Sequence, residues 1–334
     1  MLVVAFILAA LRPTGPYPLL VFVGQQGTAK STATRLIKAL IDPSSAPLRS
    51  APRNPHDLFI AAANGWLLAF DNLTRISGDL SNALCALSTG GGFSARKLYT
   101  DGEESLFHAT RAVMLNGIDN VVTRSDLADR CLFIELERIA DADRLPESVL
   151  HKRFERDHPL IMGALFDAIQ HGLREVDNVK LDHLPRMADF ATFAVACEGA
   201  LWPAGTFMAA YDSNRRVGTD RLIERDVFAS AIVSMMERSA SYHGSASDLL
   251  KLLSLGEDDG TRRSRDWPQS HSQLSRRLHL LAAPLLEIGI EIEWTREGHD
   301  RHRMIALRLT EDPSATTLAD PRNGEEQARS DDNA

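Results

Sequence analysis

The run Gly24, Gln25, Gln26, Gly27, Thr28, Ala29, Lys30, Ser31 and Thr32 holds the most specific chemistry in the chain. It follows an apolar stretch, Leu19-Leu20-Val21-Phe22-Val23, and leads into a helical pattern, the strand, loop and helix order that a triphosphate site needs. In such a loop successive backbone N–H groups turn inward around the β-phosphate, aided by the positive end of the following helix. Lys30 is placed to reach the β- and γ-phosphates, and Ser31 to offer its hydroxyl to magnesium. The pattern GxxxxGK[ST] is met except at Ala29, where a second glycine is usual. With its Cβ, Ala29 is expected to need a backbone conformation open to such a residue, with Gly27 supplying freedom two residues earlier.

Magnesium keeps several waters and takes few protein ligands, so a site of this kind needs a carboxylate at the tip of a neighbouring strand. Asp71, ending the apolar run that starts at Trp66, has that position. Asn72 follows it where a base for the attacking water is often found; an amide cannot accept a proton, which leaves the base unassigned, with Glu103 or Glu104 as candidates on a solvated turn. A third apolar run ends in Asn116-Gly117, and Asn116 suits the orienting of water or the sensing of a γ-phosphate, although an Asn-Gly pair after a strand is commonly just a turn.

These side chains require a sheet to carry them. Apolar runs at residues 19–23, 66–70, 112–115 and 131–136 predict four strands, with helices at 31–41, 57–64 and 79–88 between them, an α/β pattern. Beyond Arg138 apolar residues recur at helical spacing through 160–173, 187–201 and 227–236, a helical subdomain. From Ser245 a mixed unit follows: helices at 248–253 and 273–288, then two β-like runs at 291–295 and 303–309. The apolar segment 2–11 is shorter than the ~20 residues that span a bilayer and has no basic residues before it, which favours a buried helix over a targeting segment. Its abrupt start suggests a longer parent protein. The expected layout is therefore a buried N-terminal helix in 1–14, a core in 15–138, a helical subdomain in 139–240, a mixed unit in 241–311 and a polar, disordered tail in 312–334. With 44% hydrophobic and 25% charged residues the chain is compositionally an ordinary globular protein, and a net charge of -8 restricts any nucleic-acid contact to local patches. Cys85, Cys131 and Cys197 lack metal or disulfide spacing, which fits a reducing, cytoplasmic setting without membrane.

Taken in order, GQQGTAKST, WLLAFDN, TGGGFSARKLYTDGEESLFHATRAVMLNG and TRSDLADRCLFIEL resemble the ATPase module of superfamily-three and phage or plasmid primase-helicase proteins, within the AAA+ class. The resemblance covers roughly residues 15–138 and implies a P-loop, AAA+-like parallel-sheet core that binds ATP and Mg2+ and works as a homo-oligomeric ring. It implies that the hairpin around Asp101-Gly102, itself a hairpin signal, grips DNA through Arg96 and Lys97. It also implies that Arg130 reaches the γ-phosphate of a neighbouring subunit, with Arg124 as runner-up and a salt bridge to Asp126 or Asp129 as the plainer role for either.

Residues 262–309 carry nine arginines (262, 263, 265, 276, 277, 296, 301, 303, 308) against six acids (266, 287, 291, 293, 297, 300). A helix bearing Arg276 and Arg277 followed by a hairpin with its tip at residues 297–300 resembles a winged helix, which implies DNA contact through those two arginines or docking of a protein partner. Leu278, Leu281, Leu285 and Leu286 read as core, and Trp267 as packing. The whole points to an ATP-driven motor on single-stranded or forked DNA, a replicative helicase module of a mobile element served by a primase or initiator protein. A nucleotide-dependent DNA-binding switch without unwinding, or a degenerate remnant, are the competing expectations.

Overall fold

In strands buried on both faces every residue is apolar, and β1 (Leu19–Val23) meets that demand with LLVFV, buried throughout. In the computed structural model, which describes residues 1–96, 104–118, 121–264, 266–297 and 302–310, β1 lies inside a four-stranded parallel sheet. Its neighbours are β5 (Ala112–Gly117) on one side and β6 (Cys131–Glu135) on the other, with β2 (Leu67–Leu73) beyond β5. Alternation across the pleat sends Leu20, Phe22, Leu67, Ala69, Met114 and Leu132 to one face, and Leu19, Val21, Leu68, Phe70, Leu115 and Phe133 to the other.

The chain divides into two units, Met1–Leu222 and Ile223–Ala334. In the first, α1 (Leu2–Ala10) is apolar all round and buried from Ala5 to Ala10, as expected of a core helix. It shares one face of the sheet with α6 (Glu147–Glu175) and α7 (Ala188–Glu198). The opposite face is covered by α3 (Pro55–Ala63), α4 (Gly78–Thr89) and the short α5 (Ser125–Ala128). Between α4 and β5 runs an antiparallel hairpin, β3 (Gly92–Arg96) and β4 (Glu104–His108), in which Arg96 is registered with Glu104. Lys97, Glu103 and the turn at 101–102 lie outside the described residues, as do the 298–300 tip and the 312–334 tail. Among the described residues no helix is long and apolar enough to cross a membrane.

Helix α8 (Thr206–Arg225), which apolar spacing does not announce, guards the sheet edge. Asn214 accepts from the Phe133 N–H at 2.9 Å and donates to the Phe133 carbonyl at 2.6 Å, standing in for the next strand beside β6. Gly218 keeps the approach close, since a Cβ there would meet the Phe133 ring at 2.7 Å.

The second unit begins with α9 (Val227–Arg238), which sequence spacing groups with the helices before it but whose apolar face is part of this unit's own core. Then come β7 (Ser241–Ser245), α10 (Ala246–Leu255), α11 (Asp259–Arg262), α12 (His271–Glu287) and the hairpin β8 (Ile290–Glu297) and β9 (His302–Leu309). The sheet order is β7-β9-β8, antiparallel. Leu278 and Leu285 of α12 are buried and Trp267 packs edge-on against Phe228, the core roles expected of them, and Leu274 is buried with them. Leu281 and Leu286 are only half-buried, with Leu281 packed at the margin of that core.

Arg276 is exposed on α12, whereas Arg277 is turned to Asp226 in a 2.6 Å ion pair. Asp226 also caps α9, accepting from Phe228 and Ala229 N–H at 3.0 and 3.1 Å. One carboxylate thus ties two helices together, and the Arg277 guanidinium is turned to it. Replacing Asp226 with Ala removes the cap and leaves a half-buried guanidinium unpaired, so urea unfolding of the intact chain should show the second unit destabilised by about 2 kcal/mol. A loss below a few tenths of a kcal/mol would mean the tie carries no stability.

Candidate functional site

Leaving β1, the backbone takes conformations few residues tolerate. Gly24 has φ +154°, and a Cβ on it would lie 2.5 Å from the Leu136 carbonyl oxygen, so only glycine fits. Gly27 has φ +82°. Ala29, the N-cap of α2 (Lys30–Ile41), sits in the left-handed region at φ 59°, ψ 25°. This corrects the expectation for Ala29: its methyl is carried through a conformation that suits glycine, at a cost of about 1–2 kcal/mol. Restoring glycine removes that strain but frees the unfolded chain, so Ala29→Gly should stabilise the protein by about 0.5–1 kcal/mol, a rise in thermal midpoint of about 2 °C. A lowered midpoint would show that the methyl contributes packing that outweighs the strain.

Lys30 leads the helix, and its ammonium folds back over the loop, donating to the carbonyls of Gly24 at 2.6 Å and Gln25 at 2.8 Å and to Thr28 Oγ1 at 3.2 Å. Burial pushes the Lys30 pKa below its ordinary value, against the opposing pull of Asp71. Behind it, Ser31 Oγ donates to Asp71 Oδ2 at 2.7 Å. Asp71 stands where β2 breaks register with β5, between Phe70 and Leu73, and Asn72 beside it takes a left-handed φ of 58°. Such an irregularity re-aims a side chain off the strand. Arg49 braces the other edge of β2, its N–H donating to Ala69 O and its carbonyl accepting from Asp71 N–H, each at 2.9 Å.

Asn116 is fully buried at the end of β5. Its Nδ2 donates to Asp71 Oδ1 at 3.0 Å, and its Oδ1 lies 2.9 Å from the hydroxyl of Thr34. Thr34 also reaches the Lys30 carbonyl at 2.9 Å, so helix, third strand and acidic strand form one hydrogen-bonded chain from Lys30 to Asp71. In this arrangement the Asn116 amide is turned to Asp71 and Thr34. Thr34 escaped sequence reading, although its spacing of four from Lys30 puts the two on one helix face. At the far end of α2, buried Lys38 donates to Asp42 and to the Leu67 carbonyl, each at 2.7 Å, which fixes the helix against β2.

Ser31, Asp71, Asn116 and the loop line one cavity of about 410 Å³. The 2.7 Å between Ser31 Oγ and Asp71 Oδ2 is close to the ~2.9 Å that separates neighbouring oxygens around an octahedral magnesium ion, so the donor set fits that metal. Thr32 opens onto a second cavity of about 480 Å³ between α2 and α6, lined chiefly by apolar groups such as Leu36, Pro47 and Phe154, with the Arg35–Glu147 ion pair at 3.0 Å among its walls. The segment before α6 also comes close to the loop, since a Cβ on Gly27 would meet Arg144 Nη2 at 3.2 Å. Neither feature has a motif that sequence reading could catch.

Of the two arginine candidates, Arg130 lies elsewhere. Arg130 precedes β6, whose Cys131 is registered with Leu19 at the start of β1, so it sits at the opposite end of the sheet from Lys30, roughly 16 Å away at strand rise. It is 8% exposed and its Nη1 donates to the Asp126 carbonyl, so here its guanidinium is turned into the protein. Arg124, half-exposed, forms a bidentate pair with Asp126 at 3.0 and 2.7 Å, the plainer of the roles open to it.

A family model described as "Actinomycete integrative conjugative element replication protein" matches residues 1–220, and one described as "AICE RepA C-terminal domain" matches residues 228–322. No curated protein matches the chain. Among solved structures it is similar to "The A form apo structure of NrS-1 C terminal region-CTR", at 12% identity and a TM-score of 0.41. A second structure of that region, "CTR(305-718)", is similar at 11% identity and a TM-score of 0.40; each comparison covers 92% of this chain and 70% of the other.

Proposed function

The chain belongs to the family of actinomycete integrative conjugative element replication proteins, and from that premise we propose that its first unit is a P-loop ATPase of the AAA+ kind, acting as a helicase module on DNA. The observation that carries this reading is the chain of contacts from the Gly24–Lys30 loop through Ser31 to Asp71, on two strands of one parallel sheet. Loop amides and Lys30 hold the β- and γ-phosphates of ATP, and the nucleoside runs past Thr32 toward the cavity between α2 and α6. Ser31 and Asp71 hold magnesium, which when bound neutralises charge developing on the transferred phosphoryl group. Asn116 and Thr34 keep Asp71 aimed.

The distance of Arg130 from its own Lys30 supports a shared site in a homo-oligomeric ring, completed by an arginine from the neighbour. Of the two, Arg124 is the more exposed, and Arg130 serves only if it swings out from the Asp126 carbonyl. The β3–β4 hairpin, with Arg96 and Lys97, is the proposed DNA grip of the ring. In the second unit the order α9, β7, α10, α12, β8, β9 with sheet order β7-β9-β8 supports a winged-helix reading, with Arg276 as the α12 contact to DNA. A primase or initiator protein of the same element is the proposed partner.

The test is ATP hydrolysis by the intact chain with and without single-stranded DNA, alongside native mass and strand separation on a forked duplex. Turnover stimulated by DNA, an oligomer and unwinding are expected; no magnesium-dependent nucleotide uptake would remove the reading. Asn72, which cannot act as a base, favours a second reading, a nucleotide-dependent DNA-binding switch. Binding and assembly without strand separation would select it.

A further inference from the structure

The β8–β9 hairpin carries two different chemistries on its two faces. Register places Ile290, Ile292, Trp294 and Arg296 on one face, opposite Leu309, Leu307, Ile305 and Arg303 respectively. Ile290, Ile305 and Leu307 are in the core of the second unit, so this face begins as core and runs outward beyond it. The other face carries Glu291 and Glu293 with Arg308, which pairs with Glu293 at 3.3 Å. The acids are thus segregated from the outward end of the core face.

At that end two arginines stand directly across from each other. Arg296 and Arg303 are both exposed, and like charges at opposed positions of a ladder disfavour the pairing unless an anion lies between them. Next along the same face, the Trp294 indole stacks on the His279 ring of α12, centroids 4.3 Å apart and planes 17° from parallel, yet remains 39% exposed. Exposed Arg276 lies one turn before His279 on the same side of the helix. A cation pair at strand spacing, an accessible aromatic ring and a further cation form one continuous strip.

We propose that this strip binds an unpaired nucleotide of DNA, at a single-stranded stretch or the mouth of a fork, with a base against Trp294 and the adjoining phosphate held by Arg296 and Arg303. The proposal rests on the DNA-binding reading above and adds to it residues on β8 and β9 and a preference for unpaired bases. Stacking on an aromatic ring tolerates any base because each has a π-face, whereas in a blunt duplex every face but the outer one of each terminal pair is already covered by a neighbouring base. Guanidinium forks match phosphate oxygens and release counterions on contact, which makes the arginine share of affinity salt-dependent.

The intact chain is titrated by fluorescence anisotropy against labelled single-stranded, forked and blunt duplex DNA of equal length. Trp294→Ala is expected to weaken single-strand and fork binding by about tenfold and leave the blunt duplex within about twofold. Trp294→Phe should keep most of the affinity and Trp294→Leu should not, which separates stacking from apolar packing. Arg296→Gln with Arg303→Gln should flatten the dependence of log affinity on log salt by roughly one to two charges. Equal losses on all three DNAs, unchanged affinity, or full activity of Trp294→Leu would overturn the site while leaving the wider reading intact. If the unaltered chain binds no DNA of any form, that reading falls and this site with it.

Discussion

Lys30→Ala is expected to cut ATP turnover by about 10²–10³-fold and to weaken uptake of labelled ATP. The ammonium is held over the loop by two carbonyls and Thr28 Oγ1, within reach of any phosphate seated on the loop amides. Because those partners are neutral, a triphosphate supplies the charge they lack and draws the ammonium across, offsetting the burial that lowers its pKa. Alanine leaves Gly24 and Gln25 carbonyls facing a half-open cavity where water can serve them, so folding should change little. A variant that hydrolyses ATP at the unaltered rate, with its melting curve unchanged, would remove Lys30 from the reaction and the loop from the proposed site.

How far sequence reasoning reaches depends on whether a residue's role is local. β1, the loop and the start of α2 were legible because each needs special residue types: apolar side chains on both faces of a buried strand, glycine at Gly24, and a cation at the helix start. β2, β5 and β6 were legible for the same reason. Strand β7 was not, since SYHGS lies at a sheet edge, is never fully buried and shows no apolar run. Nor was α8, whose charged and polar residues are spread around the helix and whose Gly218 reflects contact with Phe133. Arg277 and Arg130 are a different case. Their residue type suggested phosphate, but which partner an arginine meets is decided by tertiary packing, here Asp226 and the Asp126 carbonyl. Ala29 shows that a motif position can hold its backbone conformation with a residue other than the one that suits it.

Asp71→Asn should leave folding and nucleotide affinity within a few-fold of the unaltered chain while lowering magnesium-dependent hydrolysis by about 10²–10³-fold. The amide is nearly the same shape and retains an oxygen that can accept from Ser31 Oγ or from Asn116 Nδ2, contacts now at 2.7 and 3.0 Å. What changes is charge: a neutral amide is a poor partner for a hard dication, and magnesium is the group that neutralises phosphate oxygens as the terminal bond breaks. Asn116→Ala separates holding from reacting, since it removes the Nδ2 donor to Asp71 and leaves Thr34 to satisfy itself on the Lys30 carbonyl. If Asn116 positions the carboxylate, that variant should need a higher magnesium concentration for half-maximal turnover and recover most of its rate when the metal is supplied in excess. A rate defect that no concentration of magnesium repairs would instead assign Asn116 to the reacting phosphate, and would require the buried amide to turn toward the cavity during the cycle.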